Sequence, residues 1–218
     1  MPLPREETMQ VSNKAMQELT EDAIRAQTGR GWEEWFAALD RFGAPAKGRR
    51  AAHDFLISES LTDPWWATTL VVEHERARGA VMKDGRPQGY SICVTKSIAA
   101  PVSRVFAAFA DPEQMSRWFG GGTRHDFQVG GAFSNDDGNS GEFKKIREDK
   151  DLRFTWRSAP GEPESAVEVL FQAKGEAKCG IVVNHERIAS RGEADGLREA
   201  WGSALQAMKA QLENGSGS

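Results

Sequence analysis

Cysteine is scarce in this 218-residue chain. Cys93 and Cys179 form no Cys-x-x-Cys pair, which excludes a multi-bridge disulfide scaffold and the usual thiolate zinc sites. Both fall in predicted strands, so buried reduced thiols are expected. The histidines, His53, His74, His125 and His185, make neither His-x-x-x-His nor His-Glu-x-x-His, so helical zinc chemistry has no ligand set. No metal or other cofactor is expected. No apolar run approaches the roughly 20 residues that cross a bilayer, and the polar N-terminus lacks the apolar core of a signal peptide. Positive charge is not in excess: 28 Lys and Arg face 32 Asp and Glu, for a net charge of −4. General attraction to nucleic acid or anionic lipid is thereby excluded. The densest basic pairs, Arg49-Arg50 and Lys144-Lys145, read as solvated surface. The chain is expected to be a soluble cytoplasmic protein.

What is present is clearest near the C-terminus. In Cys179-Gly-Ile-Val-Val-Asn-His-Glu-Arg187, Ile181, Val183 and His185 alternate with Val182, Asn184 and Glu186, the period of a strand. Ser190 stands three residues before Glu193, as in a capping box. Leu197, Trp201, Leu205, Met208 and Leu212 then recur at helical spacing, predicting one long amphipathic helix. Its apolar stripe must be buried on the strands that precede it.

The N-terminal third is helical in pattern. Residues 1–11 are polar and Pro-interrupted and read as a flexible arm, and 12–79 as a small helical domain. A first helix is expected over Asn13 to Gln27 and a second over Trp32 to Phe42, ended by Gly43. A third covers Lys47 to Leu56, with Ala51, Phe55 and Leu56 inward. Asp63-Pro64, an acidic N-cap before Pro at the first helical position, opens a fourth from Trp65 to Arg78. Four tryptophans, Trp32, Trp35, Trp65 and Trp66, supply much of the burial such a small bundle needs. Adjacent Trp65 and Trp66 point about 100° apart on a helix, so one of them is expected to mark a contact with a second domain or a protein partner. Residues 80–89, with Asp84-Gly85 and Pro87, read as a linker.

From residue 90 the pattern changes. Tyr90, Ile92, Val94 and Ile98 define a strand, Pro101 opens a helix holding Val105, Phe106 and Phe109, and Asp111-Pro112 starts a turn with Met115, Trp118 and Phe119. Gly120-Gly-Gly122 leaves a helix and has no following Gly-Lys-Ser/Thr, so it is no phosphate loop. Phe127, Val129 and Phe133 are placed on one face of a single strand bent at Gly130-Gly131. Asn135 to Asn139 is a turn without the spacing or terminal Glu of a calcium loop. Strands over Gly141–Arg147, Leu152–Ser158 and around Val167, Val169 and Phe171 follow. The order is strand, helices, five further strands in hairpin succession and a long helix. This is an α+β chain, with a curved antiparallel sheet packed on its C-terminal helix over 90–213, behind a small all-α bundle. Residues 214–218 read as a flexible tail.

Two resemblances attach to these residues. Thr28-Gly-Arg-Gly-Trp-Glu-Glu-Trp-Phe36, Trp65-Trp-Ala67 and Glu73-His-Glu-Arg-Ala-Arg-Gly79 resemble a small bacterial helical domain of unknown function. Ile98-Ala-Ala-Pro-Val102, Phe106 with Phe109, Asp111-Pro112, Arg117-Trp-Phe119, Val129-Gly-Gly-Ala-Phe133, Gly141-Glu142, Phe154-Thr-Trp156 and Val183-Asn-His-Glu186 resemble the START-like helix-grip (SRPBCC) superfamily. Within it the similarity is to homologues of the activator of the heat-shock-protein-ninety ATPase. The resemblance implies a hollow between sheet and C-terminal helix that accepts apolar or aromatic molecules. Its lining on this sequence would be Phe106, Phe109, Trp118, Phe133, Trp156, Phe171, Val183, His185, Trp201, Leu205 and Met208, and the alternative is that these side chains simply fill the core.

Three functions stay open on the sequence. The first is a binding protein for an apolar small molecule. The second is a cyclase- or hydrolase-type enzyme on an aromatic or polyketide-like substrate, with His185 as acid or base and Glu142, Glu168 or Arg157 as charged candidates. No nucleophile, base and orienting acid fall at matching positions. The third is a chaperone-linked interaction module.

Overall fold

The computed structural model describes residues 9–59, 63–83 and 85–214. Contacts divide the chain into Ala15–Tyr90 and a second unit formed by residues 9–14 with 91–214.

The first unit holds α1 (Glu21–Thr28), α2 (Trp32–Phe42), α3 (Arg49–Ser58) and α4 (Pro64–Ala77). Helix α1 is shorter than its periodicity predicts, because Thr20 caps it: its hydroxyl accepts from Ala23 N at 3.1 Å and leaves residues 13–19 outside the helix. Helix α2 has the predicted bounds. Asp63 caps α4 by accepting from Trp65 N at 2.8 Å, with Pro64 in the first turn. The core gathers Ile24, Trp35, Leu39, Leu56, Trp66 and Leu70. Ala52, not Ala51, is the buried alanine of α3, and Phe55 stacks on Phe42 at 4.5 Å. Trp66 is fully buried and its indole N–H donates to Gln17 at 2.7 Å, which removes it as a contact surface; Trp65 is only partly buried against the same core. Asp40 joins α2 to α4, accepting from Arg78 at 2.6 Å and lying 2.7 Å from His74, and these two neighbours hold its carboxyl down to about 2. Residues 80–90 group with the helices. Met82 N donates to Arg86 O at 2.8 Å, and the Tyr90 hydroxyl donates to Glu73 at 2.6 Å.

The second unit is built on one seven-stranded sheet in the order β1-β7-β6-β5-β4-β3-β2. Its elements are β1 (Tyr90–Ile98), α5 (Val102–Ala110), α6 (Pro112–Met115), β2 (Arg124–His125), β3 (Ala132–Ser134), β4 (Ser140–Arg147), β5 (Asp151–Trp156), β6 (Ser165–Ala173), β7 (Cys179–Ile188) and α7 (Arg191–Asn214). The strand expected across Gly130-Gly131 is instead a hairpin: Arg124 pairs with Ser134 and His125 with Phe133, so six strands follow the first helices, not five. Val129 sits in the connection and is 64% exposed, not on the inner face. Cys179 is buried as expected, whereas Cys93 on edge strand β1 is exposed.

Helix α7 is fixed at both ends. At its start Ser190 Oγ accepts from Glu193 N at 3.1 Å, while Glu193 accepts from Ala189 N at 3.3 Å, one residue earlier than in a standard capping box. Near its end Lys209 donates to Ser97 O at 3.2 Å. The helix continues through Asn214, so the expected tail begins one residue later; residues 215–218 lie outside the described residues. Part of the expected N-terminal arm is packed: Met9 is fully buried, and a Cβ built on Gly196 would lie 1.9 Å from Ser12 O. Residues 1–8 of that arm lie outside the described residues.

Candidate functional site

All eleven side chains expected to line a hollow are buried. Strand alternation explains this for Phe171 on β6 and Val183 and His185 on β7, whose burial follows the two-residue period, while Trp156 ends β5, where Phe154 and Thr155 are buried beside it. The helical positions follow the three-to-four spacing, with Phe106 and Phe109 on α5 and Trp201, Leu205 and Met208 on α7.

The aromatic rings form a closed circuit. Phe106 meets Phe127 at 5.9 Å, Phe127 meets Phe143 at 5.2 Å, and Phe143 meets Phe133 at 5.9 Å. Phe133 then meets Phe119 at 5.9 Å, Phe119 meets Trp118 at 5.4 Å, and Trp118 meets Phe109 at 4.7 Å. Phe171 closes it, 5.4 Å from both Phe109 and Phe106. Most of these pairs are edge-to-face, the arrangement that the ring quadrupoles favour. The members come from α5, the segment after α6, β3, β4, β6 and the β2–β3 connection. Helix α7 joins through a branch, Phe119 touching Trp201 at 5.7 Å and Trp156 at 5.7 Å. Gly141 permits the β4 approach, since a Cβ there would lie 1.8 Å from Thr155 O and 2.5 Å from the Phe133 ring.

Sequence reasoning placed the lining around α7 and missed Phe119, Phe127 and Phe143. Phe119 follows a short helix where no period exists to orient it. Phe143 shows the alternation signal only weakly, because a register shift between Phe143 and Lys145 interrupts β4.

His185 lies on the Trp156–Trp201 branch, and its chemistry is fixed by its partners. An indole N–H can only donate, so Trp201 donates a hydrogen bond to His185 Nδ1 at 3.2 Å. The ring proton therefore sits on Nε2, which donates to Ser165 Oγ at 2.7 Å, and the Ser165 hydroxyl donates to Trp156 O at 3.2 Å. Burial pushes the ring pKa down to about 3. With both nitrogens engaged and no exposed surface, His185 has neither lone pair nor proton to offer a substrate. A second polar chain ties sheet to helix: Trp156 Nε1 donates to Ser158 Oγ at 3.1 Å, and Ser158 donates to Glu193 at 2.7 Å. Of the charged candidates, Glu142 pairs with Lys144 at 2.6 Å and Arg157 with Glu164 at 3.4 Å, neither of them directed at His185.

His125 was not singled out by its sequence context. Its ring lies 5.5 Å from Phe127 and 5.9 Å from Phe143, and both nitrogens are buried without a hydrogen-bond partner. Burial lowers its pKa, opposed by its own backbone, by Asp111 and Asp126, and last by the Phe109 backbone. Among the described residues no group of three His, Cys, Asp or Glu is placed to hold a metal ion, and no helix is long and apolar enough to cross a membrane.

A family model described as activator of Hsp90 ATPase homolog 1-like protein matches residues 99–213, just over half of the chain. The chain belongs to this family. The activator-homologue unit is similar to CalU16 from Micromonospora echinospora, with 25% identity, 55% of this chain and 72% of that one covered, and a TM-score of 0.50. PFC0360w, an Hsp90 activator from Plasmodium falciparum, is 23% identical over 58% of this chain and 97% of its own, with a TM-score of 0.52. Aha1 from Colwellia psychrerythraea, solved as a dimer, is 16% identical over 59% and 99%, also at 0.52. The last two likenesses show the helix-grip fold. No curated protein matches the chain.

Proposed function

We propose that the helix-grip unit holds an apolar, aromatic small molecule within the circuit of rings that runs from Phe106 round to Phe171. The observation that carries this reading is the closure of that circuit: eight aromatic side chains from six separate segments meet in a loop, all but the tilted Phe133–Phe143 pair edge to face. Core packing alone does not require rings from so many segments to close on one another. A guest would be held by apolar area, at roughly 25 cal/mol per Å² removed from water. His125, with two buried and unpartnered nitrogens beside Phe127 and Phe143, would orient it through a hydroxyl or carbonyl group.

The test is titration of the intact protein with uncharged polycyclic aromatic compounds, with and without a hydroxyl substituent, followed by tryptophan emission. Saturable binding is expected, weakened about tenfold by Phe171→Ala and unaffected by Val129→Ser. His125→Phe is expected to remove the preference for the hydroxylated compounds. Absence of saturable binding across the series would leave the circuit as core packing.

The family description, together with the similarity to PFC0360w, an Hsp90 activator, also raises a chaperone-linked role. Of the two tryptophans expected to mark a contact, Trp66 is fully buried.

A further inference from the structure

The helical unit has a groove of about 530 Å³, bounded by Leu19, Trp32, Phe36, Glu73, Arg76 and Ala77. That volume lies in the range of small-molecule sites. Trp32 and Phe36 are four residues apart on α2 and present one face, while Glu73, Arg76 and Ala77 present the matching face of α4. The floor is held rigidly. The Trp32 ring sits 6.0 Å from Trp66 and 5.9 Å from Phe36, and Phe36 in turn rests against His74 at 5.5 Å with the Arg78 guanidinium 5.8 Å above it.

The polar wall is set equally firmly. Glu73 Oε1 accepts from Tyr90 at 2.6 Å and from Arg76 at 3.2 Å. Glu73 Oε2 and the Trp32 indole N–H have no hydrogen-bond partner among the described residues, which leaves the groove one acceptor and one donor beside an aromatic floor. Glu73 and Arg76 are ion-paired at 3.2 Å, so a charged ligand would have to break that pair, whereas an uncharged one leaves it intact. The groove is complementary to a flat, uncharged molecule whose edge offers both a donor and an acceptor.

We propose that this groove is a second binding site, separate from the ring circuit, for an uncharged planar aromatic ligand bearing an amide-like edge. The ligand's ring lies along Phe36 and meets the edge of Trp32, whose plane is inclined 63° to Phe36; its N–H donates to Glu73 Oε2, and its carbonyl accepts from the in-plane Trp32 indole N–H.

Three probes of one shape test this on the intact protein: naphthalene-2-carboxamide, naphthalene-2-carboxylate and 2-naphthylmethylammonium. Indole N–H resonances of ¹⁵N-labelled protein report the site, that of Trp32 being identified by its loss in Trp32→Phe. The carboxamide is expected to shift the Trp32 resonance saturably and at least fivefold more tightly than either charged probe. Trp32→Phe, which keeps an aromatic floor, should weaken carboxamide binding about fivefold, followed by backbone shifts in α4. Glu73→Ala should weaken it about tenfold while an unchanged amide spectrum elsewhere confirms the fold. Shifts confined to Trp118, Trp156 and Trp201, equal affinity for a charged probe, or no shift at millimolar carboxamide would each overturn the proposal. Because the readout belongs to Trp32, failure here is distinguishable from failure of the ring circuit to bind.

Discussion

His185 illustrates how one residue's partners decide its role. Burying an imidazole costs little only when both nitrogens are satisfied, and Trp201 and Ser165 satisfy them in the neutral form. The folded ring therefore stays neutral down to about pH 3, whereas an unfolded histidine titrates near 6.5. The stability this confers is complete above pH 6.5. It is lost as pH falls from 6.5 towards 3, because the unfolded state takes up a proton that the folded state refuses. A slope approaching about 1.4 kcal/mol per pH unit is expected from this group alone in that window. Denaturant unfolding at pH 7 and pH 4.5 should show it, and His185→Gln should flatten it while lowering stability at pH 7. Trp201→Phe keeps the ring and strands Nδ1, so a loss of about 1–3 kcal/mol is expected at neutral pH, with Ser165→Ala costing a similar amount. An unchanged midpoint in both variants would show that the three groups are not coupled as described.

At the scale of elements, helix α7 is held by backbone contact as much as by its apolar stripe. Gly196 touches the Ser12 backbone, whereas a Cβ at Gly202 would meet nothing within 4 Å. On helix propensity alone, Gly→Ala at either site should stabilise by up to about 1 kcal/mol. At Gly202 that gain is expected. At Gly196 the clash dominates, and a loss of about 1–3 kcal/mol is expected, with faster hydrogen exchange over residues 9–14. Thermal denaturation of the two variants reads the difference in sign directly. At the first turn of α4, Asp63→Ala should cost about 1 kcal/mol through loss of the cap.

These elements also show what was legible in the sequence. Asp63-Pro64, Gly43 and the Leu197-to-Leu212 spacing mark their helices because capping and periodicity are local signals. Strand β7 was equally plain from Ile181, Val183 and His185. The Thr20 cap was missed, since apolar spacing continued upstream of it. The β2–β3 hairpin was read as one bent strand because Phe127, Val129 and Phe133 keep a two-residue period across the turn. The packing of Ser12 on Gly196 leaves no periodic trace, being contact between backbones 184 residues apart. The same holds for the ring circuit: its residue types were visible, but closure through Phe119 and Phe143 depends on long-range geometry. His125 became notable only when its buried nitrogens proved to lack partners.

For the whole molecule, the family assignment fixes the architecture of residues 99–213 and leaves the occupant of the helix-grip unit to experiment. The helical unit contributes an aromatic groove of its own, so the two proposed sites are tested separately. The most direct measurement for the central reading is native mass spectrometry of the purified protein, followed by denaturing extraction and identification of any passenger. The account predicts a stoichiometric aromatic compound that is lost in Phe171→Ala and retained in Trp32→Phe. A protein that carries no passenger and takes up none from an aromatic panel, with Phe171→Ala indistinguishable from the parent, would contradict it.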